Sequence, residues 1–308
     1  MGLFDKLKSM VTGESESETT SAPKQEVSAI RVTDKQLSIK DWLLSLSPEW
    51  QEILSDNCYL RADDDAKELD SNFRKATSLD ISDNAKIKDI TPIGELCFLK
   101  SIDVSECRVT DLSPLKKLKS LEKLNFSKNP IKDLSPLAEI TSLKNLRFGG
   151  RDFQLIDNID VLANLINLEE LSMTETLVTS LKALSKCTSL KRLSATDTKV
   201  NSLEGLENCT KLESLQLHRT QVADLTPIAN LTNLKELSLF HCAMVKSIGV
   251  ASNFTKLENL DIAYTNVTDL SPLFGLSNLE ELCVMSFWTD QIAKFKEACP
   301  TCKVEQYG

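Results

Sequence analysis

Only two histidines occur in the chain, His218 and His241. Imidazole is the usual general base and the commonest metal ligand near neutral pH. Two such groups are few for either task, and a His218–His241 metal pair lacks a third ligand. Cysteine is more abundant, with nine in 308 residues and one C-x-x-C, Cys299-Pro300-Thr301-Cys302. A redox pair wants that motif to open a helix in a thioredoxin-like unit, and a zinc site wants two further ligands. The sequence supplies neither context. Cys299 and Cys302 therefore read as structural or incidental, with a labile disulfide or a metal-assisted dimer as the other readings. Cys187 and Cys209 precede threonines at equivalent places and read as buried packing residues. No G-x-x-x-x-G-K-[ST], H-E-x-x-H or G-x-S-x-G is present. The sequence offers no catalytic, cofactor-binding or metal-ligating set, so neither an enzyme nor a bound cofactor is expected.

Charge narrows the class further. Lys and Arg number 36 and Asp and Glu 45, a formal charge of −9. A chain of that sign is not drawn as a whole to nucleic acid, so no such partner is expected. No 18-residue apolar run or secretory h-region occurs, so no transmembrane segment is read. With an odd number of cysteines, this makes a reducing cytoplasm the expected compartment.

The elements that must position any functional group are set by a repeat. Blocks begin at Ala76, Leu99, Leu121, Leu143, Leu168, Leu190, Leu212, Leu234, Leu257 and Leu279, spaced 22 to 25 residues apart. The shared pattern is L-x-x-L-x-L-x-x-[N/C/T]-x-[V/I]-x-x-L-x-x-L. One instance runs Leu121, Leu124, Phe126, Asn129, Ile131, Leu134, Leu137. Such units cannot each bury their own apolar face and must stack on one another. Leucines alternating with polar residues make a half-buried strand. The following D-[LI]-[ST]-P-[LI] segments contain Pro92, Pro114, Pro136, Pro227 and Pro272. A polar residue ahead of proline starts a short 3₁₀ turn. About 22 residues leave no room for a long helix. The expected fold is α/β: a curved solenoid with one parallel sheet on its concave face and 3₁₀ turns on its convex face. At the usual strand spacing it spans roughly 45 Å.

This pattern resembles the leucine-rich repeat, in its 22-residue internalin-like bacterial class, over residues 76–298. The resemblance implies that the ninth residue of each unit points inward and bonds the turn backbone of adjacent units. Asn84, Cys107, Asn129, Thr176, Thr198, Thr220, Cys242 and Thr265 have side chains fit for that. Arg151 and Phe287 do not. Arg151 falls in the one 25-residue unit, so an irregular loop is expected near 149–158. Phe287 falls in the last unit, where capping repeats deviate.

Residues 1–36 read as a flexible tail. Leu3, Phe4, Leu7, Met10 and Val11 share a helical face, which reads either as a docking helix for a membrane or partner or as a frayed terminus. Residues 37–75 read as a helical N-terminal cap that buries Trp42 and Trp50, with starts at Ser47-Pro48-Glu49 and at Asp63–Asp65. This lead-in is similar to that of uncharacterised bacterial cytoplasmic leucine-rich repeat proteins. Residues 76–302 hold the ten units and a closing helix with Trp288, Ile292, Phe295 and Ala298 on one face, ending before Pro300. Residues 303–308 read as a C-terminal tail.

The exposed strand positions carry the functional reading. The first two units are acidic there. The next stretch is basic, with Lys128, Arg147 and Arg151 beside Phe153 as a secondary patch. The last four units instead offer Gln216, His218, Arg219, Phe240, His241, Asp261, Tyr264, Met285 and Trp288. Aromatic rings, Arg and Met are the residues of binding hot spots, although cross-strand packing alone explains such a ladder equally well. The expected function is a non-catalytic, monomeric scaffold binding a protein partner on the concave face. The alternatives are a regulatory or targeting subunit anchored through its N-terminal segment, and a secreted internalin-like adhesin or effector.

Overall fold

A computed structural model describes residues 30–32 and 35–308. The expected docking helix at residues 1–11 and the linker after it lie outside the described residues. Ile30–Val32 (β1) pairs antiparallel with Lys35–Leu37 (β2), so the end of the segment read as a tail has strand backbone.

Three helices follow, each with a polar start. In α1 (Ile39–Ser45) the Ser38 hydroxyl accepts from the Asp41 amide while the Asp41 carboxylate accepts from Ser38, a reciprocal cap. In α2 (Pro48–Cys58) Ser47 caps the end and Pro48 takes the first turn, where no amide is needed. In α3 (Ala66–Lys75) Asp65 accepts from the Lys67 and Glu68 amides. Trp42 and Trp50 are buried, and Trp42 meets Phe73 edge to face at 6.0 Å. The helices cap the first repeat strand, and α2 packs directly on it.

Each unit then contributes a short strand: β3 (Ser78–Asp80), β4 (Ser101–Asp103), β5 (Lys123–Asn125), β6 (Asn145–Arg147), β7 (Glu170–Ser172), β8 (Arg192–Ser194) and β9 (Ser214–Gln216). They continue as β10 (Glu236–Ser238), β11 (Asn259–Asp261) and β12 (Glu281–Met285). The central Leu or Ile of each points into the core and its two neighbours onto the concave face, because side chains alternate along a strand. Strand follows strand in one parallel, in-register sheet. A slip of one residue would turn every leucine to solvent, which fixes the register.

On the opposite side lie the 3₁₀ turns, among them Thr91–Glu95, Ser113–Lys117 and Ser135–Glu139. The aspartate two residues ahead of each opening Ser or Thr holds that residue's amide. Asp111 does so for Ser113, Asp133 for Ser135 and Asp224 for Thr226, each at 2.8 Å. Asn129 reaches between units as expected, accepting from the Val109 amide at 2.9 Å and donating to the Val104 carbonyl at 2.7 Å. The threonines do less: Thr176, Thr198, Thr220 and Thr265 each donate to a carbonyl three residues back in their own turn, and Thr220 also reaches the next unit, at the Cys242 sulfur 3.3 Å away.

At the far end α4 (Thr289–Ala298) buries Ile292 and Phe295 but leaves Ala298 exposed, with Cys299 buried in its place. The last residues, read from sequence as a tail, form strand β13 (Lys303–Tyr307), paired parallel to β12. Among the described residues the sheet thus has eleven strands.

Candidate partner-binding face

The concave face is built in columns, because each side chain repeats one strand spacing further on. Register places Gln216, Ser238, Asp261, Cys283 and Glu305 in one column. Two residues further along each strand come His218, Phe240, Ala263, Met285 and Tyr307, and next to them a column with a backbone signature. Asp83, Glu106, Lys128, Glu175, Asp197, Arg219, His241 and Tyr264 all take the left-handed conformation, with φ between +53° and +59°. Each amide in that column except the last donates to a carbonyl of the next unit, as Arg219 does to Phe240 and His241 to Ala263. Tyr264 donates to the Met285 sulfur instead, at 3.2 Å. The turn demands this conformation and leaves the side chain free, so varied residues stand in a row along the sheet rim.

In the middle of the sheet the columns at the start of the strands carry charges that neutralise one another. Lys144 pairs with Glu122 at 2.8 Å, Lys191 with Glu169 at 2.7 Å, Arg192 with Glu170 at 2.6 Å and Lys235 with Glu213 at 3.1 Å. The predicted secondary patch behaves likewise. Lys128 meets Glu106 at 2.6 Å, Arg147 meets Glu170 at 3.8 Å and Arg151 meets Glu175 at 3.2 Å, so this band is not a free basic surface. Phe153 ends the 3₁₀ turn Arg151–Phe153 and its side chain lies outside the described residues. The irregular loop expected there is present, opening on Gly149 and Gly150.

Toward the C-terminal end the columns turn aromatic, with Phe240 at the centre. Its ring lies 6.0 Å from His218, 4.6 Å from His241, 5.4 Å from Tyr264 and 6.1 Å from Tyr307. The Arg219 guanidinium sits 5.9 Å from the same ring, within cation–π range. Of the residues singled out from the sequence, His218, Arg219, Phe240, His241 and Tyr264 come together here, with Gln216 exposed and Asp261 half-buried beside them. Met285 and Trp288 do not belong to the surface. Met285 is buried as the acceptor of the Tyr264 amide, and Trp288 is buried at the start of α4. Tyr307 was missed because its strand carries no leucine. The alternation of Lys303-Val304-Glu305-Gln306-Tyr307 is the signal that could have revealed it. Phe287, 68% exposed and edge-on to Trp288, is the other apolar side chain that the repeat pattern hid.

Next to the rings lies an acidic depression lined by Gln216, Glu236, Ser238, Asp261, Glu281 and Cys283. Burial lowers the His218 pKa and raises that of Asp261. Burial, with Asp261 and the nearby glutamates adding to it, pushes the Cys283 thiol up to about 11. Cys283 nearby, then desolvation and the carboxylates of Glu305 and Asp261, raise the Tyr307 phenol, and register sets Tyr307 opposite Met285, two residues beyond the Cys283–Glu305 pair. Glu281, Cys283 and Glu305 bring ligand atoms within 4.8 Å of one another, but the Lys303 ammonium already lies against both carboxylates. Among the described residues no helix is long and apolar enough to cross a membrane.

No family model matches the sequence, and no curated protein does. Solved structures do. An internalin (inlF) of Listeria monocytogenes superposes with a TM-score of 0.62 at 20% identity, over 83% of this chain and 87% of that one. Internalin C2 (inlC2) of the same organism gives 0.59 at 24% identity, over 77% and 93%. The fold is the leucine-rich repeat solenoid. The functional domain of InlJ from Listeria monocytogenes, described as including a cysteine ladder, gives 0.53 at 22% identity, over 70% of this chain and 50% of that one. The expected cytoplasmic location is corrected by these matches. They fall on internalins, the class that the sequence reading had set on the secreted side, and the cysteine count that favoured a reducing compartment is explained by burial instead.

Proposed function

We propose that this protein is a non-catalytic binding protein of the internalin kind, an adhesin or effector. It captures a protein partner on the C-terminal half of its concave face. The observation that carries this reading is the cluster around Phe240. Five rings (His218, Phe240, His241, Tyr264 and Tyr307) adjoin one another with Arg219 over the central one. The same columns elsewhere hold serine, threonine, glycine and paired charges. Aromatic and arginine side chains carry most of the binding energy at protein interfaces. A preformed sheet presents them with little ordering cost. Gln216 and Asp261 complete the face, Lys128, Arg147, Arg151 and Phe153 lie outside it, and a monomer suffices. The two internalins, matched over 87% and 93% of their chains, support action outside the producing cell.

The test is capture of solubilised surface proteins from host cells by the immobilised full chain, compared with Phe240→Ala and Tyr264→Ala. Each variant is expected to reduce the captured species by well over about tenfold. Equal capture by both variants overturns the assignment of the face. Fractionation of producing cells tests the setting: protein in the medium or at the surface fits the proposal, and protein confined to the cytosol opposes it.

A further inference from the structure

The pairing of charges that runs along the concave face stops at its C-terminal end. From β5 to β9, concave glutamates stand one strand from a Lys or Arg that neutralises them, as Glu122, Glu169, Glu170 and Glu213 do. Beyond that, Glu236, Glu258, Asp261 and Glu280 make no ion pair among the described residues, and Lys303 alone serves both Glu281 and Glu305. Glu236 and Glu281 line the depression together with Asp261. The deficit lies against the aromatic cluster, since register sets the column of Ser238, Asp261, Cys283 and Glu305 two residues along the chain from the column of Phe240 and Tyr307.

The chain itself shows what chemistry this region accepts. One ammonium, Lys303, lies between two of the carboxylates, and one guanidinium, Arg219, lies over the central ring. The Ser238 hydroxyl lining the depression has a buried oxygen with no hydrogen-bond partner among the described residues, so its lone pairs are open to a donor. A cationic head group brings donors only, and so fits both the carboxylates and that hydroxyl.

Resting on the binding face proposed above, we infer that the partner inserts a cationic side chain, an arginine or lysine of a basic segment, into the depression at Asp261. Its charge meets Asp261 and Glu236, the two carboxylates of the lining that make no ion pair among the described residues, and its stem lies against Phe240. Arginine is the better fit, because its planar fork answers a carboxylate while its face stacks on a ring.

The experiment uses a displayed library of random peptides selected on the full chain, followed by affinity measurement of the winning synthetic peptides. Enrichment of Arg or Lys at one position, next to an apolar or aromatic residue, is expected. Asp261→Asn with Glu236→Gln should weaken those peptides by about tenfold or more. Asn keeps an oxygen for the Ala263 amide that Asp261 now holds, and an unchanged melting curve shows that the fold is retained. Winners without a basic residue that still depend on Phe240 overturn this inference and leave the binding face standing. Winners indifferent to Phe240→Ala overturn the face itself. Binding abolished by a chelator also overturns the inference, since a metal ion would then fill the depression.

Discussion

The imidazole of His241 lies flat on the ring of Tyr264, with centroids 4.1 Å apart and planes 2° from parallel. The two residues sit at the same turn position of successive units, both in the left-handed conformation. The backbone therefore aims both side chains the same way, one strand spacing apart, and stacking follows from the repeat. Tyr264→Phe keeps the ring and loses only a long hydroxyl contact to the Gly308 carbonyl at 3.4 Å. It should change unfolding free energy by less than about 0.5 kcal/mol, whereas Tyr264→Ala should cost about 1–2 kcal/mol. Urea titrations of the two variants separate these outcomes. Equal losses would mean that the hydroxyl and not the stack matters.

Asn129 is expected to be the most costly of the turn side chains to remove. Its amide bonds the Val104 and Phe126 carbonyls and the Val109 amide, all buried. Asn129→Ala strands these groups and should cost about 2–4 kcal/mol. Thr220→Val removes a bond to the Leu217 carbonyl and a weaker one to the Cys242 sulfur and should cost about 1–1.5 kcal/mol. Denaturant midpoints measured side by side give the comparison, and a Thr220 loss equal to that of Asn129 would reverse the ranking.

The fold was legible because leucine spacing is a statement about burial, and burial decides where strands lie. The Asp-x-Ser-Pro turns and the Ser47 and Asp65 caps were legible for a similar reason, since short polar side chains satisfy local amides. The site was legible in part. His218, Phe240, His241 and Tyr264 were placed correctly on one face by counting along the repeat. Met285 and Trp288 were misplaced because the last unit departs from the pattern: strand β12 is longer, and α4 follows it and packs on the 3₁₀ turn Ser271–Leu273. The basic band around Lys128 and Arg147 was read as free, because a sequence shows charges but not the partner 22 to 25 residues away that neutralises them. Nothing in the leucine pattern announced β13, which is held by backbone pairing and by Tyr307.

Gly149 is the tightest backbone position. It adopts φ of +103°, and a Cβ there would meet the Thr174 carbonyl oxygen at 1.9 Å. The neighbouring strand cannot retreat without breaking the sheet, so Gly149→Ala should cost about 3 kcal/mol or more. A urea midpoint within error of the parent would show that the loop from Gly149 onward relaxes freely.

The buried thiols should be slow to react. Desolvation pushes Cys187 to about 11 and Cys209 to about 12. At pH 7.5 their thiolate fraction is below roughly one part in a thousand, against about one in ten for a free thiol. Alkylation of the native protein, read by peptide mass mapping, should label these two at least about a hundredfold more slowly than in denaturant. Finding either among the first residues labelled would contradict their burial.

His218 gives the pH dependence its direction. Burial lowers its pKa, Arg219 lowers it further, and the carboxylates of Asp261 and Asp197 act the other way. The Phe240 ring covers one side of it at 6.0 Å. The folded chain thus binds this proton later than the unfolded chain, whose histidine titrates near about 6.5. Stability from this group is complete above that value and declines as pH falls toward the lower folded pKa, because the unfolded state takes up the proton first. Asp261 has the opposite sign: its raised pKa means that protonation in acid favours the folded state, in a window just above the unfolded value of about 3.9. On acidification the loss at His218 therefore comes first. Proton NMR should place the His218 midpoint below 6.5, the ordinary histidine value. Denaturation of His218→Gln should show a shallower decline below that pH than the parent. A midpoint at or above the ordinary value would falsify the desolvated setting of this ring.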